Sequence, residues 1–308
     1  MTNFMNPQKI IWGMAAMTAA ALAPVPALAA TMYTADLDTL NADFGSTASG
    51  FATLTLDQPS EFIRTIRVQM TVTGLEDTTS FGGVHVAHIH GQFAGNATRP
   101  LFDQGNGPFF EGTGGTPVDS VVPTLANDDV DGDGYLNFIE GRPAYGPVVL
   151  NLSSEQQPAP PAGVPPLTQF LTRVGAGEIN PAELFPSGTE LNLDTTYTFD
   201  LSDPDQARQF NNIGPLEKRE IVAHGLTVPA AISDPIDAVV AANGGGAPTG
   251  VPLGDGRVFR ITAPVAAGTI RLVEDNNGES VPEPVSMSLL SASVLAAALG
   301  ITRRRQTA

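Results

Sequence analysis

The sequence predicts an all-β fold, an antiparallel β-sandwich with long loops and one or two short helices. Short runs in which apolar and polar residues alternate recur along the chain, as expected of strands with one buried face. Clusters of Gly, Pro, Asn and Asp separate these runs, and helical periodicity is scarce. The chain has no cysteine, but a domain of this length can form its core without disulfides.

The first half of the domain contains four predicted strands. They cover residues 32–37, 50–57 and 62–75, and a fourth run, residues 81–91, that contains three histidines. Residues 93–121 are rich in Gly, Asn, Thr and Pro, which predicts a long surface loop.

The second half combines strands with two short helices. Prolines in residues 151–166 exclude a regular helix or central strand there, and a short helix is predicted just after them, over residues 167–174. Asp203 and Pro204 predict the start of another helix that ends near Asn211, because Asp caps helices and Pro suits the first helical position. Further strands are predicted at residues 195–201, 218–228, 258–262 and 269–273.

Residues 1–29 have the pattern of a secretory signal peptide. Lys9 precedes an apolar run over residues 10–23, and a small-x-small cleavage pattern ends at Ala29. Cleavage after Ala29 leaves residues 30–280 as the exported β-sandwich domain.

Residues 281–308 combine a short motif, an apolar run of 17 residues (285–301) and a basic cluster. The motif consists of Val281, Pro282, Glu283 and Pro284, and the cluster of Arg303, Arg304 and Arg305. The apolar run is just long enough for a transmembrane helix, and the arginines favour a cytoplasmic end. This order resembles the PEP-CTERM sorting signal of Gram-negative bacteria. The resemblance implies a transient inner-membrane anchor that an exosortase cuts near the motif, and an ordinary membrane anchor is the alternative.

The charge of the chain excludes one class of partner. The chain carries 15 Lys and Arg against 32 Asp and Glu, a formal net charge of −17. Four of the basic residues lie in the predicted leader and tail, so the exported domain is strongly acidic. Such a domain does not bind nucleic acid or anionic lipid through its charge, and divalent cations are its natural partners.

Residues 129–140 match the twelve-residue EF-hand calcium loop at every ligand position. Gly134 supplies the sharp turn at position six, and Leu136 is the apolar residue at position eight. The predicted calcium ligands are Asp129, Asp131, Asp133, the carbonyl of Tyr135, Asn137 and Glu140. Hard oxygen donors favour calcium over zinc. The alternative is an acidic, solvated turn.

The sequence after this loop departs from an EF-hand. Gly141 stands where the helix of an EF-hand continues with an apolar residue, and Pro143 is expected to stop any helix. We therefore predict an isolated calcium loop that orders an extracellular connection.

Three of the four histidines lie in residues 81–91, and the fourth is His224. In an extended strand His88 and His90 point to one face and can bind one metal ion together. His85 points to the opposite face, unless the glycine pair before it introduces a bulge. The alternative is that these histidines are hydrogen-bonded structural residues.

Parts of this pattern resemble known families. Residues 49–54, 70–75 and 87–91 resemble the opening half of a CHRD domain, a module named after chordin that also occurs in bacterial exported proteins. This resemblance covers roughly residues 30–95, and the closing Tyr-Val-Asn-Val-His-Thr stretch of that domain is missing from the sequence. It implies an exported sandwich with a binding or structural role.

Residues 88–90 and 221–224 are also similar to the copper-ligand strands of copper/zinc superoxide dismutases, whose fold is an antiparallel sandwich. This similarity implies His88, His90 and His224 as ligands of copper. The chain lacks the additional histidines of a zinc site and the disulfide of that family.

Two functional hypotheses follow. The first is a non-enzymatic, calcium-binding CHRD-like module, sorted to the cell envelope or extracellular matrix, with matrix components or polysaccharide as candidate partners. The second is a superoxide dismutase-like enzyme with a mononuclear copper centre at His88, His90 and His224. Copper and zinc are both candidate ions for these histidines. Other catalytic patterns, such as a cysteine nucleophile, a Gly-x-Ser-x-Gly elbow or a Gly-rich phosphate loop, are absent from the sequence.

The sorting signal can be tested by substitution. Glu283→Ala, or deletion of residues 303–305, should leave an unprocessed form in the membrane, because the first change removes the cleavage motif and the second removes the positive end. Immunoblots of membrane and extracellular fractions give the readout. Normal processing and export of both variants would contradict the sorting prediction.

Overall fold

The computed structural model describes residues 30–95, 114–232 and 250–273, in which eleven strands pair antiparallel. The strands of the first half are β1 (Thr31–Thr39), β2 (Ser49–Asp57), β3 (Ile63–Thr73), β4 (Val86–Phe93) and β5 (Pro117–Val118). Those of the second half are β6 (Val148–Asn151), β7 (Glu190–Asp200), β8 (Arg219–Pro229), β9 (Gly250–Pro252), β10 (Arg257–Thr269) and β11 (Arg271–Leu272).

The strands lie in two layers that share one hydrophobic core. The first layer has the order β11-β1-β2-β3-β7. In the second, β4, β8 and β10 are neighbours, with β5 and β6 paired to β4 and β9 paired to β10. The end of β1 pairs with β10, where Asp38 lies opposite Ala267, and this links the layers. The predicted all-β, sandwich-like fold is confirmed.

Strand alternation explains why the first layer forms. In β3 the side chains of Ile66, Val68, Met70 and Val72 are buried, and those between them are exposed. The inward residues pack with Ile89 of β4 and Ile221 of β8 in one core cluster. Both faces of β4 are buried, because other segments cover its outer face. That covered outer face carries the candidate site.

Five short helices occur in the described residues: α1 (Leu125–Asp128), α2 (Phe138–Tyr145), α3 (Pro166–Gly175), α4 (Pro181–Leu184) and α5 (Pro204–Ile213). The two predicted helices correspond to α3 and α5. As predicted, the Asp203 side chain caps α5 by accepting a hydrogen bond from the Asp205 N–H at 2.8 Å, and Pro204 is its first residue.

The expectation that Pro143 stops any helix after the acidic loop is wrong. Helix α2 contains Pro143, and its start is held by a capping box between Asn137 and Glu140. The last residue of α2 is bonded to the first, since the Tyr145 hydroxyl donates a hydrogen bond to the Phe138 carbonyl at 2.8 Å. The capping bonds and this side-chain bond within α2 offset the single backbone bond that a proline removes.

The packing of α2 also explains why glycine follows Glu140. A Cβ at Gly141 would lie 2.4 Å from the Tyr145 ring, so only glycine lets this ring fold back over the helix. The residue that departs from the EF-hand pattern is therefore required by the way α2 folds here.

One buried side chain fastens the acidic loop to the sandwich. The Asn41 amide donates to the carbonyls of Leu136 and Pro264, both at 2.9 Å, and accepts from the Leu136 N–H at 2.8 Å. Asn41 has a left-handed backbone (φ 55°), a conformation that asparagine adopts more readily than most residues. The backbone N–H and C=O of Leu136, in the middle of the loop, are thus both bonded to the Asn41 side chain, as they would be to a neighbouring strand.

Several predicted segments lie outside the described residues. They are the signal peptide (1–29), the sorting motif (281–284), the apolar run (285–301), the arginine cluster (303–305) and most of the predicted surface loop (93–121). Within the described ranges, no helix has the length and apolar character needed to cross a membrane.

Candidate metal centres

Three histidines converge on the outer face of the β4–β8 pair. His88 and His90 lie on β4, and His224 lies on β8, opposite Val86. The ring centroids are 5.6 Å apart for His88 and His90, 5.1 Å for His88 and His224, and 5.8 Å for His90 and His224. One ring nitrogen from each lies within 4.8 Å of the other two. The structure thus brings together the three residues that the sequence singled out, here called the histidine trio.

Each histidine of the trio has one buried ring nitrogen without a hydrogen-bond partner in the described part of the chain: Nδ1 of His88, Nε2 of His90 and Nε2 of His224. The other nitrogen of two of these rings is fixed by a backbone carbonyl. His90 Nδ1 donates to the Gly146 carbonyl at 2.9 Å, and His224 Nδ1 donates to the Thr262 carbonyl at 2.8 Å. Because a carbonyl only accepts, the proton is on Nδ1 and the lone pair on Nε2, as in oriented metal ligands.

The electrostatics of the trio favour neutral rings. Burial lowers the pKa of His90 to about 3 and that of His224 to about 4. Burial, followed by the charges of His224 and His90, places the pKa of His88 well below its usual value. All three rings are therefore neutral at pH 7 and each keeps a lone pair available for a metal ion.

The donor set fits a borderline transition-metal ion. Neutral imidazoles suit copper and zinc, and three of them leave one coordination position open. Tetrahedral ligands at ~2.0–2.1 Å from an ion are ~3.3 Å apart, so the trio would need only a small contraction to bind one. An ion would also give a partner to the three nitrogens that now have none.

His85 lies outside the trio. Its Nε2 contacts the Glu76 carbonyl at 2.7 Å, and its Nδ1 contacts the His224 carbonyl at 3.3 Å. Its ring packs edge-on against Phe259, with centroids 5.6 Å apart. His85 thus has the hydrogen-bonded structural role that was the alternative for all the histidines, and no bulge turns it towards the trio.

Two further polar residues on this face were not predicted. Glu220 lies opposite His90, and Asn151 lies opposite His88. Both carboxylate oxygens of Glu220 and the Oδ1 of Asn151 are buried without a partner in the described residues. Burial, and then the charge of Asp128, raise the pKa of Glu220 to about 8. Alternation along β8 could have revealed Glu220, since it is an even number of residues from the histidine of that strand.

Helix α2 covers the trio. The Tyr145 ring lies 4.4 Å from the His90 ring, and the Phe138 ring lies 6.1 Å from His90 and 5.9 Å from His224, all between centroids. His88 is 4% exposed, and the other two histidines are 0% exposed. The trio is therefore closed to solvent by α2 and the segments around it.

The residue after α2 can approach β4 only because it is glycine. Gly146 has a positive φ of 83°, and a Cβ there would lie 2.5 Å from the backbone of Gly91. This close approach brings the Gly146 carbonyl to His90.

The acidic loop between α1 and α2 brings three of its predicted ligands together. Asp129, Asp131 and Asp133 each offer a carboxylate oxygen within 4.8 Å of the others. Asp133 Oδ2 is buried without a partner in the described residues. Burial, and then the charges of Asp131 and Asp129, raise the pKa of Asp133. A hard divalent cation would relieve both the repulsion and the missing contact, so the loop fits calcium.

The remaining predicted calcium ligands face partners inside the protein. The Glu140 carboxylate accepts from the N–H groups of Val130 at 2.9 Å and Asn137 at 3.1 Å, and burial raises its pKa to about 7. The Asn137 Oδ1 accepts from two N–H groups of α2. Tyr135 is fully buried in the core. Glu140 is therefore folded over the loop and must exchange its backbone bonds to become a bidentate calcium ligand.

No family model, curated protein or solved structure matches this chain. The resemblances to CHRD domains, PEP-CTERM signals and superoxide dismutases therefore stay predictions from the sequence.

Loss of one carboxylate ligand should weaken calcium binding. Asp129→Ala and Glu140→Gln should each raise the calcium Kd by tenfold or more, because each change removes a ligand and a negative charge. The control is Glu61→Gln, which removes an exposed charge elsewhere. Calorimetric titration measures Kd.

Calcium should also raise the Tm of the parent protein by stabilising only the folded state. An identical melting curve with calcium and with chelator would contradict the calcium assignment.

In a metal chelator, Glu220 should lower the free energy of unfolding as pH rises from about 4.5 towards 8. Burial raises the pKa of the folded carboxyl to about 8, whereas the unfolded carboxyl has the ordinary glutamate pKa of 4.5. The folded state is therefore progressively destabilised as pH rises through this window, by about 2 kcal/mol between pH 6.5 and 8. Glu220→Gln should remove this loss, and Glu217→Gln, at an exposed position, should retain it.

The histidine trio should lower the stability of the folded protein as pH falls into the acid range, which is the opposite trend to that of Glu220. Its lowered pKa values mean that the unfolded chain takes up protons below about pH 6.5 that the folded protein does not, so stability is lost as pH falls towards 4. Denaturant unfolding at a series of pH values measures both trends. Equal alkaline slopes in the parent and in Glu220→Gln would show that this carboxyl is ionised in the folded state.

Proposed function

We propose that this chain is an exported metalloprotein in which a calcium-ordered β-sandwich holds one copper or zinc ion on His88, His90 and His224. One observation carries the proposal: three buried ring nitrogens without partners converge on one point. An unpartnered buried polar group costs about 1–3 kcal/mol, so a protein rarely keeps three side by side. A bound ion offsets this cost for all three.

Between the two ions, the donor set favours copper slightly. Affinity at a given nitrogen site rises along the first-row divalent metals to copper and falls again at zinc. Zinc fits the same three-nitrogen geometry and leaves the fourth position for another ligand. Metal supply in the compartment therefore decides which ion is bound in the cell.

The closed environment of the trio favours a binding or structural role over rapid turnover. A substrate can reach an ion only if α2 moves, because the histidines are almost fully buried beneath Phe138 and Tyr145. Superoxide dismutase-like activity is the second candidate, favoured by the open fourth position of the ligand set. A bound copper ion would supply the redox chemistry for it, and an assay of superoxide consumption separates the two functions.

The proposal includes the cellular setting suggested by the sequence. A signal peptide, a sorting signal cut by an exosortase and an acidic body support delivery to the cell envelope or the extracellular matrix. There the module would meet matrix components or polysaccharide, with calcium ordering the connection between α1 and α2. Its CHRD-like opening half supports this role as a binding module.

Metal titration of individual histidine variants tests the proposal. The exported protein should take up one equivalent of copper or zinc, and His88→Ala and His224→Ala should lose this uptake. His85→Ala should retain it, since both nitrogens of that ring contact backbone carbonyls. Binding should weaken as pH falls towards about 4, where protonation begins to compete for the His224 ring, since burial lowers the pKa of that histidine to about 4. Equal stoichiometry and affinity in the parent and all three variants would make the trio structural and remove the enzyme candidate with it.

A further inference from the structure

One short helix, α2, joins the acidic loop to the histidine trio. It begins directly after Asn137, and its third residue is Glu140, so two predicted calcium ligands also form its first turn. It ends at Tyr145, whose ring lies on His90, and the next residue bonds to that same histidine. The two candidate metal centres thus contact the same helix of eight residues, the loop through its first turn and the trio through Tyr145, Gly146 and the Phe138 ring.

At the loop end, calcium binding must change the contacts that start the helix. The Glu140 carboxylate now accepts from the N–H groups of Val130 and Asn137. A calcium ion takes both oxygens of the carboxylate at position twelve of such a loop. The first turn of α2 is then held by the ion and the loop carboxylates, in addition to the bonds from the Asn137 side chain.

A movement of the first turn of α2 also moves its last turn, because side-chain and backbone contacts join the two ends of the helix. The Tyr145 hydroxyl donates to the Phe138 carbonyl at 2.8 Å, and the Tyr145 ring packs against Gly141. The Gly146 N–H donates to the Arg142 carbonyl at 2.8 Å and closes the last turn. Movement of the first turn therefore carries Tyr145 and Gly146 with it.

At the trio end, the position of α2 sets both access and ligand orientation. Phe138 and Tyr145 cover the rings, and the Gly146 carbonyl holds the proton of His90 on Nδ1. When α2 is in place, Nε2 of His90 is presented to the trio. When α2 moves away, His90 loses this orienting bond and the trio opens to water.

From this connection we infer that calcium in the acidic loop controls the histidine trio, so that it binds its metal ion more tightly and releases it more slowly when calcium is present. The inference rests on the proposed function, because it needs an ion at each centre. Coupling between two binding sites is reciprocal, so an ion on the trio must raise calcium affinity by the same factor. Couplings of this kind are typically about 5–150-fold.

Zinc is the suitable probe, since it has no redox chemistry. The exported protein is loaded with one equivalent of zinc, and zinc release to a zinc-selective chromogenic chelator is followed with and without saturating calcium. Calcium should slow release about tenfold or more. Calorimetric titrations should show that zinc lowers the calcium Kd and calcium lowers the zinc Kd by one common factor of about 5 or more.

Two variants assign the effect to α2. Glu140→Gln should still bind one equivalent of zinc but show no dependence of zinc release on calcium. Tyr145→Phe keeps the ring over His90 but removes the bond to the Phe138 carbonyl, so it should bind both ions with a smaller coupling factor. The matched control is Tyr197→Phe, which removes the bonds of another buried hydroxyl, to the backbone of Ser153, and should keep the full factor.

The outcomes separate this inference from the proposed function. Failure to bind either zinc or copper in any condition overturns the proposed function and the inference together. Zinc binding with the same release rate and Kd in calcium and in chelator overturns the inference alone. Full coupling in Tyr145→Phe, or an equal loss of coupling in Tyr197→Phe, would show that the path through the Tyr145 hydroxyl is wrong.

Discussion

The register between β4 and β8 is the constraint on which the histidine trio depends. It sets His88 opposite Val222, His90 opposite Glu220 and His224 opposite Val86. A slip of one residue in this pairing would turn the histidines of one strand towards the sandwich core. It would turn the apolar residues of the same strand outwards. Apolar side chains of β4 and β8, including Ile89 and Ile221, pack in that core and so fix the register. Hydrophobic packing on one face thereby positions ligand chemistry on the other.

The outer face of this strand pair is unusually polar for a buried surface. It holds the trio, Glu220 and Asn151, and several of their polar atoms have no partner in the described parts of the chain. Burial keeps the histidines neutral and raises the pKa of Glu220, so the face carries little charge at pH 7 without a metal ion. Under the proposed function a cation binds this face beneath helix α2, where it would give partners to the buried polar atoms that have none among the described residues.

Local patterns in the sequence were enough to predict the fold class and to place His88 and His90 on one face, whereas His224 was assigned to the same site through the similarity to copper-ligand strands. Alternation in β3 and β4 specifies which side chains face inwards, and the same alternation places His88 and His90 together. Helix α2 was not predicted, because Pro143 and Gly141 are poor helix formers when read locally. The helix is stabilised by its capping box and by Tyr145, which folds back onto Phe138 and Gly141 of the same helix, and helix propensities do not include such side-chain contacts. Asn151 was missed for a different reason, since its place beside His88 depends on pairing between distant segments.

The most direct measurement is anomalous diffraction at the zinc edge from crystals of the zinc-loaded protein. A single strong peak is expected on the outer face of β4 and β8, at ~2.0–2.1 Å from Nδ1 of His88, Nε2 of His90 and Nε2 of His224. The nitrogens that bond to the carbonyls of Gly146 and Thr262 should stay bonded to them. A zinc-loaded crystal with no peak at the trio, or with zinc only on surface carboxylates, would contradict the assignment of this face as a metal centre.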